Sequence, residues 1–155
     1  MKRSLAGILA FSLVLLTGCG DKEMSADNLP SVTNNMGEAP TIGAPTGTPP
    51  TTLESKDIVV GTGAEVSSTS TITFHYTLMT WSNGAITESS WNSGLPATYP
   101  LSNLIIGWQQ GSPGMKVGGR RLLVVPPDLG YGAQGSGLVG PNETLVFVMD
   151  IVSVS

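Results

Sequence analysis

The clearest pattern along the chain is an alternation of apolar and polar residues between positions 71 and 78. Four apolar side chains alternate there with four polar ones: Ile72, Phe74, Tyr76 and Leu78 with Thr71, Thr73, His75 and Thr77. A period of two residues predicts a half-buried β-strand, because successive side chains of a strand point to opposite faces of a sheet. We therefore predict a strand whose aromatic residues face the core and whose histidine faces away from it.

Further strands are predicted from turn residues and from runs of β-branched residues. Asn83-Gly84 is a strong hairpin signal, because both residues tolerate positive φ, and a second strand is expected to return through Ile86 and Glu88. Residues 120–125 and 144–154 are rich in side chains that favour strands. The second of these runs has one apolar face, formed by Leu145, Phe147, Met149 and Ile151.

One short helix is predicted between these strands, from Leu104 to about Gln110. Asn103 is placed as its N-cap, and Gly111 lies just after its expected end. A sheet accompanied by one short helix indicates the α+β class.

The first residues have the pattern of an export signal. Two basic residues precede an apolar run from Leu5 to Leu16, which is too short to span the ~30 Å hydrocarbon core of a bilayer as a mature helix. The sequence Leu16-Thr17-Gly18-Cys19 resembles the lipobox of bacterial lipoproteins, in which the cysteine is acylated and becomes the new N-terminus. We therefore expect residues 1–18 to be a signal peptide and Cys19 to carry a lipid that anchors the protein to a membrane.

Gly20 bears on where such an anchor would place the protein. In Gram-negative lipoproteins, aspartate after the cysteine is the usual signal for retention in the inner membrane, and this chain has glycine there. The resemblance therefore implies a lipid-anchored protein of the cell envelope, in the outer membrane facing the periplasm or at the cell surface if the source is Gram-negative. The alternative is an ordinary secretory signal with an incidental cysteine.

The segment after the leader has the composition of a linker. Residues 20–52 are rich in proline, threonine and glycine and show neither a helical nor a strand period. We therefore predict that residues 19–52 form the lipidated cysteine and a disordered tether, and that residues 53–155 form one folded domain. We expect this domain to be a monomer.

Composition excludes several classes of function. The formal net charge is −4 and Arg120-Arg121 is the only basic pair after the leader, so binding to nucleic acid is not expected. A single cysteine and a single histidine cannot form a disulfide or a zinc site, and no metal or cofactor is expected. A Ser-His-Asp hydrolase is disfavoured, because the histidine lies mid-strand and no Gly-x-Ser-x-Gly motif occurs.

Five sequence blocks follow one another between residues 73 and 147. They are Thr-Phe-His-Tyr-Thr (73–77), Leu-Ile-Ile-Gly-Trp-Gln-Gln-Gly (104–111), Gly-Met-Lys-Val-Gly-Gly-Arg-Arg (114–121), Pro-Pro-Asp-Leu-Gly-Tyr-Gly (126–132) and Pro-Asn-Glu-Thr-Leu-Val-Phe (141–147). In this order and spacing, the chain from about Asp57 onward resembles the FKBP family of peptidyl-prolyl cis-trans isomerases. The resemblance implies a curved antiparallel sheet of five or six strands wrapped around one short helix. Together with the leader, it implies an isomerase that assists the folding of exported, proline-containing polypeptides.

The resemblance also implies which residues form the site. Those matching the walls, floor and hydrogen-bond donors of the family's apolar pocket are taken as catalytic: Tyr76, Ile105, Trp108, Tyr131 and Phe147. Trp108 would form the floor, while the Ile105 amide and the Tyr131 hydroxyl would donate to substrate carbonyl groups. The further substrate-binding positions are Thr87, Glu88, Tyr99, Leu104 and Val139.

The chain departs from the family pattern at the edge of this pocket. Thr87 replaces a common phenylalanine, Glu88 is one methylene longer than the usual aspartate, and Ala97 replaces a second aromatic residue. We therefore expect isomerase activity that is weakened but present. The alternative is a binding module or holdase chaperone that holds proline-containing segments in the same pocket with little or no turnover. Each aromatic residue, taken alone, would also fit simple core packing.

Overall fold

The computed structural model of the protein describes residues 28–155. They form six antiparallel strands and one α-helix: β1 Glu54–Val59, β2 Thr71–Thr80, β3 Ile86–Ser89, β4 Ala97–Pro100, α1 Ile106–Gly111, β5 Arg120–Val125 and β6 Leu145–Val154. The strand order is β1-β5-β6-β2-β3, and β4 pairs with the first half of β2. This architecture confirms the predicted α+β class, with a curved antiparallel sheet around one short helix.

The two faces of the sheet carry separate apolar clusters. The inner face, which α1 covers, buries alternate residues of β2, β5 and β6, among them Phe74, Leu123 and Phe147. The apolar face predicted for β6 belongs to this inner cluster. The intervening residues form a second cluster on the outer face: Met79, Trp81, Leu122, Val124, Val146 and Val148. The sheet is therefore buried on both faces in its centre.

A segment N-terminal to the sheet covers the outer cluster. Residues 28–50, called the strap below, place Leu29, Val32 and Ile42 against that cluster, and a backbone bridge pairs the last two residues. The strap is also fixed by the indole of Trp81, which donates to a strap carbonyl, that of Gly47, at 3.3 Å. The strap thus shields from water an apolar sheet face that would otherwise be exposed.

The predicted disorder of the tether is therefore wrong for the strap. Its apolar residues are few, but Leu29, Val32 and Ile42 lie on an apolar surface supplied by distant strands. The predicted signal peptide, Cys19 and the beginning of the predicted tether lie outside the described residues. Within residues 28–155, no helix is long and apolar enough to cross a bilayer.

A buried ion pair ties the strap to the sheet. Arg120 and Asp150 are direct neighbours across β5 and β6, and two contacts of 2.6 Å join their side chains. The guanidinium also donates to the carbonyl oxygens of Thr33 at 3.0 Å and Glu38 at 2.7 Å. Arg120 is fully buried, and its charge is compensated inside the protein. It is a structural residue and contributes no basic surface.

The β2–β3 hairpin turns at the predicted residues but with a different geometry. Gly84 has a φ of 65°, whereas Asn83 does not adopt positive φ. The side-chain oxygen of Asn83 instead accepts hydrogen bonds from the Ala85 N–H at 2.9 Å and the Thr80 hydroxyl at 2.6 Å. Residues 81–85 connect β2 to β3, so the turn extends beyond Asn83-Gly84.

The helix also begins later than predicted. Leu101–Asn103 form a separate 3₁₀ turn, and Ile105 is the N-cap of α1, without a side-chain capping bond. Asn103 is therefore not the N-cap. Leu104 and Ile105 have extended backbone conformations between the two helical segments, with ψ angles of 168° and 154°.

Two glycines let α1 approach β5 closely. A Cβ atom at Gly107 would lie 2.4 Å from Val125, and one at Gly111 would lie 2.7 Å from Leu123. Arg121 donates to the Gly111 carbonyl at 2.8 Å. These contacts hold the helix against the inner face and fix the position of the residues that it carries.

Candidate functional site

A cavity of about 180 Å³ opens between the helix and the inner face of the sheet. Its lining consists of Phe74, Tyr76, Glu88, Ala97, Tyr99, Leu104, Ile105, Trp108, Tyr131 and Phe147. The structure thus brings together eight of the site residues predicted from the sequence, contributed by β2, β3, β4, the extended segment before α1, α1 itself, β6 and the loop that carries Tyr131.

Trp108 is the centre of an aromatic group at the cavity wall. Its ring centroid lies 4.7 Å from that of Phe74, 5.3 Å from that of Phe147 and 6.1 Å from that of Tyr76. The last two pairs are close to perpendicular, an arrangement that aromatic rings favour. Because the indole is buried and contacted on several sides, the wall it forms is rigid.

The polar side chains of the lining are three phenols, those of Tyr76, Tyr99 and Tyr131, and the carboxylate of Glu88. Tyr76 donates its hydroxyl to Glu88 at 3.2 Å. Burial raises the pKa of Tyr76 to about 12, assisted by the charge of Glu88 and by this hydrogen bond. Burial, and to a smaller extent Glu88, also raises the pKa of Tyr131. Tyr76 and Tyr131 therefore keep their protons at neutral pH. The Tyr76 hydroxyl is already bonded to Glu88, whereas the Tyr131 hydroxyl has no partner within residues 28–155 and can donate to a ligand.

Ile105 contributes a free backbone donor to the lining. The N–H of Ile105 has no acceptor among residues 28–155. Ile105 itself lines the cavity, beside the aromatic group. The site thus combines apolar walls with hydrogen-bond donors, and its lining contains no cysteine, serine, lysine or histidine. This arrangement suits binding of an apolar group that carries a carbonyl oxygen.

Two predicted site residues do not line the cavity. Thr87 neighbours Glu88 on β3, and since Glu88 faces the cavity, the side chain of Thr87 is directed elsewhere and donates to the Leu78 carbonyl at 3.4 Å. Val139, on the loop before β6, is buried in the inner cluster. Their predicted contacts with a substrate have no support in the cavity's lining.

One lining residue was missed by the site prediction. Phe74 contributes to the cavity and packs on Trp108. The signal for it was present, because Phe74 alternates in phase with Tyr76 on the predicted strand. Ala97 lines the cavity at the position where the sequence suggested that an aromatic wall was missing.

His75 lies outside the cavity, on the opposite face of β2. Its ring stacks on Trp91 with centroids 3.9 Å apart, and its Nδ1 atom is 2.9 Å from the Ser90 hydroxyl oxygen. The position agrees with the alternation predicted for this strand, and it gives the histidine a packing role.

Comparison with known proteins agrees with this geometry. A family model described as FKBP-type peptidyl-prolyl cis-trans isomerase matches residues 63–152. The chain is 45% identical over 116 residues to the "Probable FK506-binding protein" of Corynebacterium glutamicum, covering 75% of this chain and 98% of that protein. It is 39% identical over 106 residues to the "Outer membrane protein MIP" of Legionella longbeachae, covering 68% and 45% respectively.

A solved structure shares the fold as well. FkpA from Escherichia coli superposes with a TM-score of 0.63 at 31% identity, covering 66% of this chain and 48% of FkpA. The family model, the relatives and the shared fold all agree. The chain therefore belongs to the FKBP family of peptidyl-prolyl cis-trans isomerases.

Proposed function

We propose that this isomerase acts on proline-containing segments of exported polypeptides at the cell envelope, anchored there by a lipid on Cys19. The observation that carries the site assignment is the cavity in which Trp108, Tyr76 and Phe147 surround an apolar space beside two hydrogen-bond donors, the Ile105 N–H and the Tyr131 hydroxyl. An apolar ring with an adjacent carbonyl, as in an X–Pro unit, fits these groups.

The reaction requires rotation about an amide bond and no covalent chemistry. Its barrier is about 20 kcal/mol, because the twisted amide loses its resonance. In the proposed mechanism the aromatic walls hold the proline ring and exclude water, which disfavours the more polar planar amide. Donors placed to fit the twisted geometry then bind the transition state better than either planar isomer. Ile105 and Tyr131 supply these donors.

The proposed location rests on the leader. The basic residues, the short apolar run and the four residues ending in Cys19 together match a lipoprotein signal. A relative named "Outer membrane protein MIP" supports an envelope location. Two or more acyl chains on Cys19 would make the attachment durable, since one chain alone binds a membrane only marginally.

The site is tested by a protease-coupled isomerisation assay on the full chain with a panel of X–Pro peptides. Tyr131→Phe removes one donor and should lower kcat/KM about fivefold, the value of one hydrogen bond. Trp108→Leu should lower it further. Gln110→Ala, on the exposed side of α1, is the control and should match the wild type. Rates equal to the uncatalysed reaction for every peptide, with peptides still bound, would instead favour a binding module.

The anchor is tested by Cys19→Ser. This change removes the thiol that would take the lipid, so the protein should leave the membrane fraction while its domain stays folded. Retention of the variant in salt-washed membranes would refute the lipoprotein assignment and leave the site assignment unaffected.

A further inference from the structure

We propose that Gln109 is a positioning residue of the isomerase: its side-chain amide holds the Leu104–Ile105 peptide so that the Ile105 N–H faces the cavity. Gln109 does not line the cavity, and its action is on the backbone of two residues that do. This inference rests on the proposed role of the Ile105 N–H as a donor to the substrate.

The backbone of Leu104 and Ile105 contains four hydrogen-bonding groups, two N–H groups and two carbonyls. The Leu104 N–H donates to the Leu101 carbonyl at 3.1 Å, and the Ile105 carbonyl accepts from the N–H groups of Trp108 and Gln109 at 2.9 and 3.2 Å. The Leu104 carbonyl accepts from Nε2 of Gln109 at 2.7 Å. Within residues 28–155, only the Ile105 N–H of these four groups has no partner.

The peptide plane links the bonded group to the free one. The Leu104 carbonyl and the Ile105 N–H belong to the same peptide unit, which is trans, so they point in opposite directions. A bond that fixes the carbonyl therefore also fixes the direction of the N–H. Accepting a hydrogen bond at the carbonyl also polarises the unit and strengthens the N–H as a donor.

No regular secondary structure fixes this peptide otherwise. Leu104 and Ile105 are extended and lie between the Leu101–Asn103 turn and the first residue of α1. Gln109 reaches back from α1 across this gap, and its Nε2 atom also lies 3.3 Å from the Ser102 carbonyl. The side-chain amide of Gln109 thus joins α1 both to the Leu101–Asn103 turn and to the extended segment that follows it.

Two substitutions remove the hydrogen-bond donor of Gln109 while nearly keeping the size of its side chain. Gln109→Glu keeps the shape but places a carboxylate, which only accepts, against two carbonyl oxygens. Gln109→Met keeps the length, removes the donor and adds no charge. The matched controls are Gln110→Glu and Gln110→Met, because Gln110 is exposed and adjacent, and its side chain makes no hydrogen bond within residues 28–155.

Kinetics of the full chain give the first test. Each Gln109 variant should lose about fivefold in kcat/KM, the value of one hydrogen bond, while each Gln110 variant stays at the wild-type value. The loss should appear in kcat and not in KM, because the Ile105 N–H donates best to the twisted amide of the transition state. Gln109 variants as active as their Gln110 counterparts would overturn the positioning role.

The amide resonance of Ile105 gives the second test, which a general loss of stability would not reproduce. When a proline peptide saturates the wild type, the Ile105 amide proton should shift downfield. In Gln109→Met that shift should shrink while the Trp108 indole still reports a filled cavity. If the Ile105 amide proton of the wild type does not shift when the peptide binds, the proposed role of this N–H as a donor to the substrate is refuted. Equal shifts in wild type and variant would refute only the positioning by Gln109.

Discussion

Arg120 of β5 holds Asp150 of β6 in a buried ion pair and, with its remaining N–H groups, holds the strap. The pair is joined by two contacts of 2.6 Å, and the strap contributes the carbonyls of Thr33 and Glu38. A buried charge is tolerated only when its hydrogen-bonding groups are satisfied. The ion pair and the strap therefore stabilise each other.

Breaking this pair should unfold the strap first. Asp150→Asn leaves the buried guanidinium without its counter-charge and should cost about 3–5 kcal/mol of unfolding free energy in urea titrations. Residues 28–50 should also become sensitive to limited proteolysis. Asp57→Asn, in the more exposed pair with Arg121, is the matched control and should cost less than about 1 kcal/mol. A strap that stays protected in Asp150→Asn would contradict the role of the pair.

Removing the strap should expose the outer cluster. A chain that begins at residue 53 should melt at a lower temperature than one that begins at residue 28, and should self-associate, because Leu122, Val124 and Val146 lose their cover. Thermal unfolding and light scattering of the two chains measure this. Equal melting temperatures and two monomers would show that the strap contributes little to the fold.

Crowding α1 against β5 should disturb the cavity wall. Gly107→Ala places a methyl group 2.4 Å from Val125, and the overpacking should cost about 1–3 kcal/mol in unfolding free energy. Trp108 is the next residue, so its fluorescence and the turnover rate should change together. Gln110→Ala, on the exposed side of the helix, should change neither. If Gly107→Ala changes neither the Trp108 fluorescence nor the turnover rate, the close approach of α1 to β5 does not control the cavity wall.

The cavity's lining predicts where an aromatic residue would help. Ala97→Phe adds apolar contact at the cavity and should raise kcat/KM about tenfold for good peptides, within the 1.5–3 kcal/mol that burial of a large side chain provides. Thr87→Phe, outside the lining, should leave the rate within about twofold. The reverse outcome, with activation only by Thr87→Phe, would place the missing wall on β3.

Alkaline pH should weaken the domain through Tyr76. Its folded-state pKa of about 12 lies above the ordinary 10.0, so the folded state holds this proton more tightly than the unfolded chain does. The resulting stabilisation is fully present below pH 10 and is lost as the pH rises towards 12. Tyr76→Phe should therefore lose less stability than the wild type between pH 10 and 12 in urea titrations. Parallel losses in both proteins would contradict the raised pKa.

The sequence predicted the sheet best where local pattern and burial agree. The alternation through Phe74 and Tyr76 defined β2 and its faces, because one side of that strand meets the core. The helix start was misjudged because Asn103 looks like an N-cap, whereas the side chain of Gln109 bonds the Leu104 carbonyl, and Leu104 and Ile105 stay extended. The family resemblance implied a pocket position for Thr87, although a period of two already sets it opposite to Glu88.

The strap could not be predicted from its own composition. Its apolar residues are widely spaced, and the surface that they cover is formed by strands far away in sequence. A signal did exist in those strands: Leu122 to Val125 and Leu145 to Met149 are continuously apolar, as expected for strands buried on both faces. Such runs indicate that something must cover the outer face, without saying which segment does.

Because the strap packs on the sheet, it reduces the length of chain that would separate a lipid on Cys19 from the folded domain. A free tether from Cys19 to residue 53 could extend about 120 Å, but the chain from Cys19 to Asn28 can extend only about 32 Å. The strap also lies on the sheet face opposite the cavity, so the described part of the chain begins on the side away from the site. With a lipid on Cys19, the enzyme would therefore meet its substrates only within a thin layer at the membrane surface.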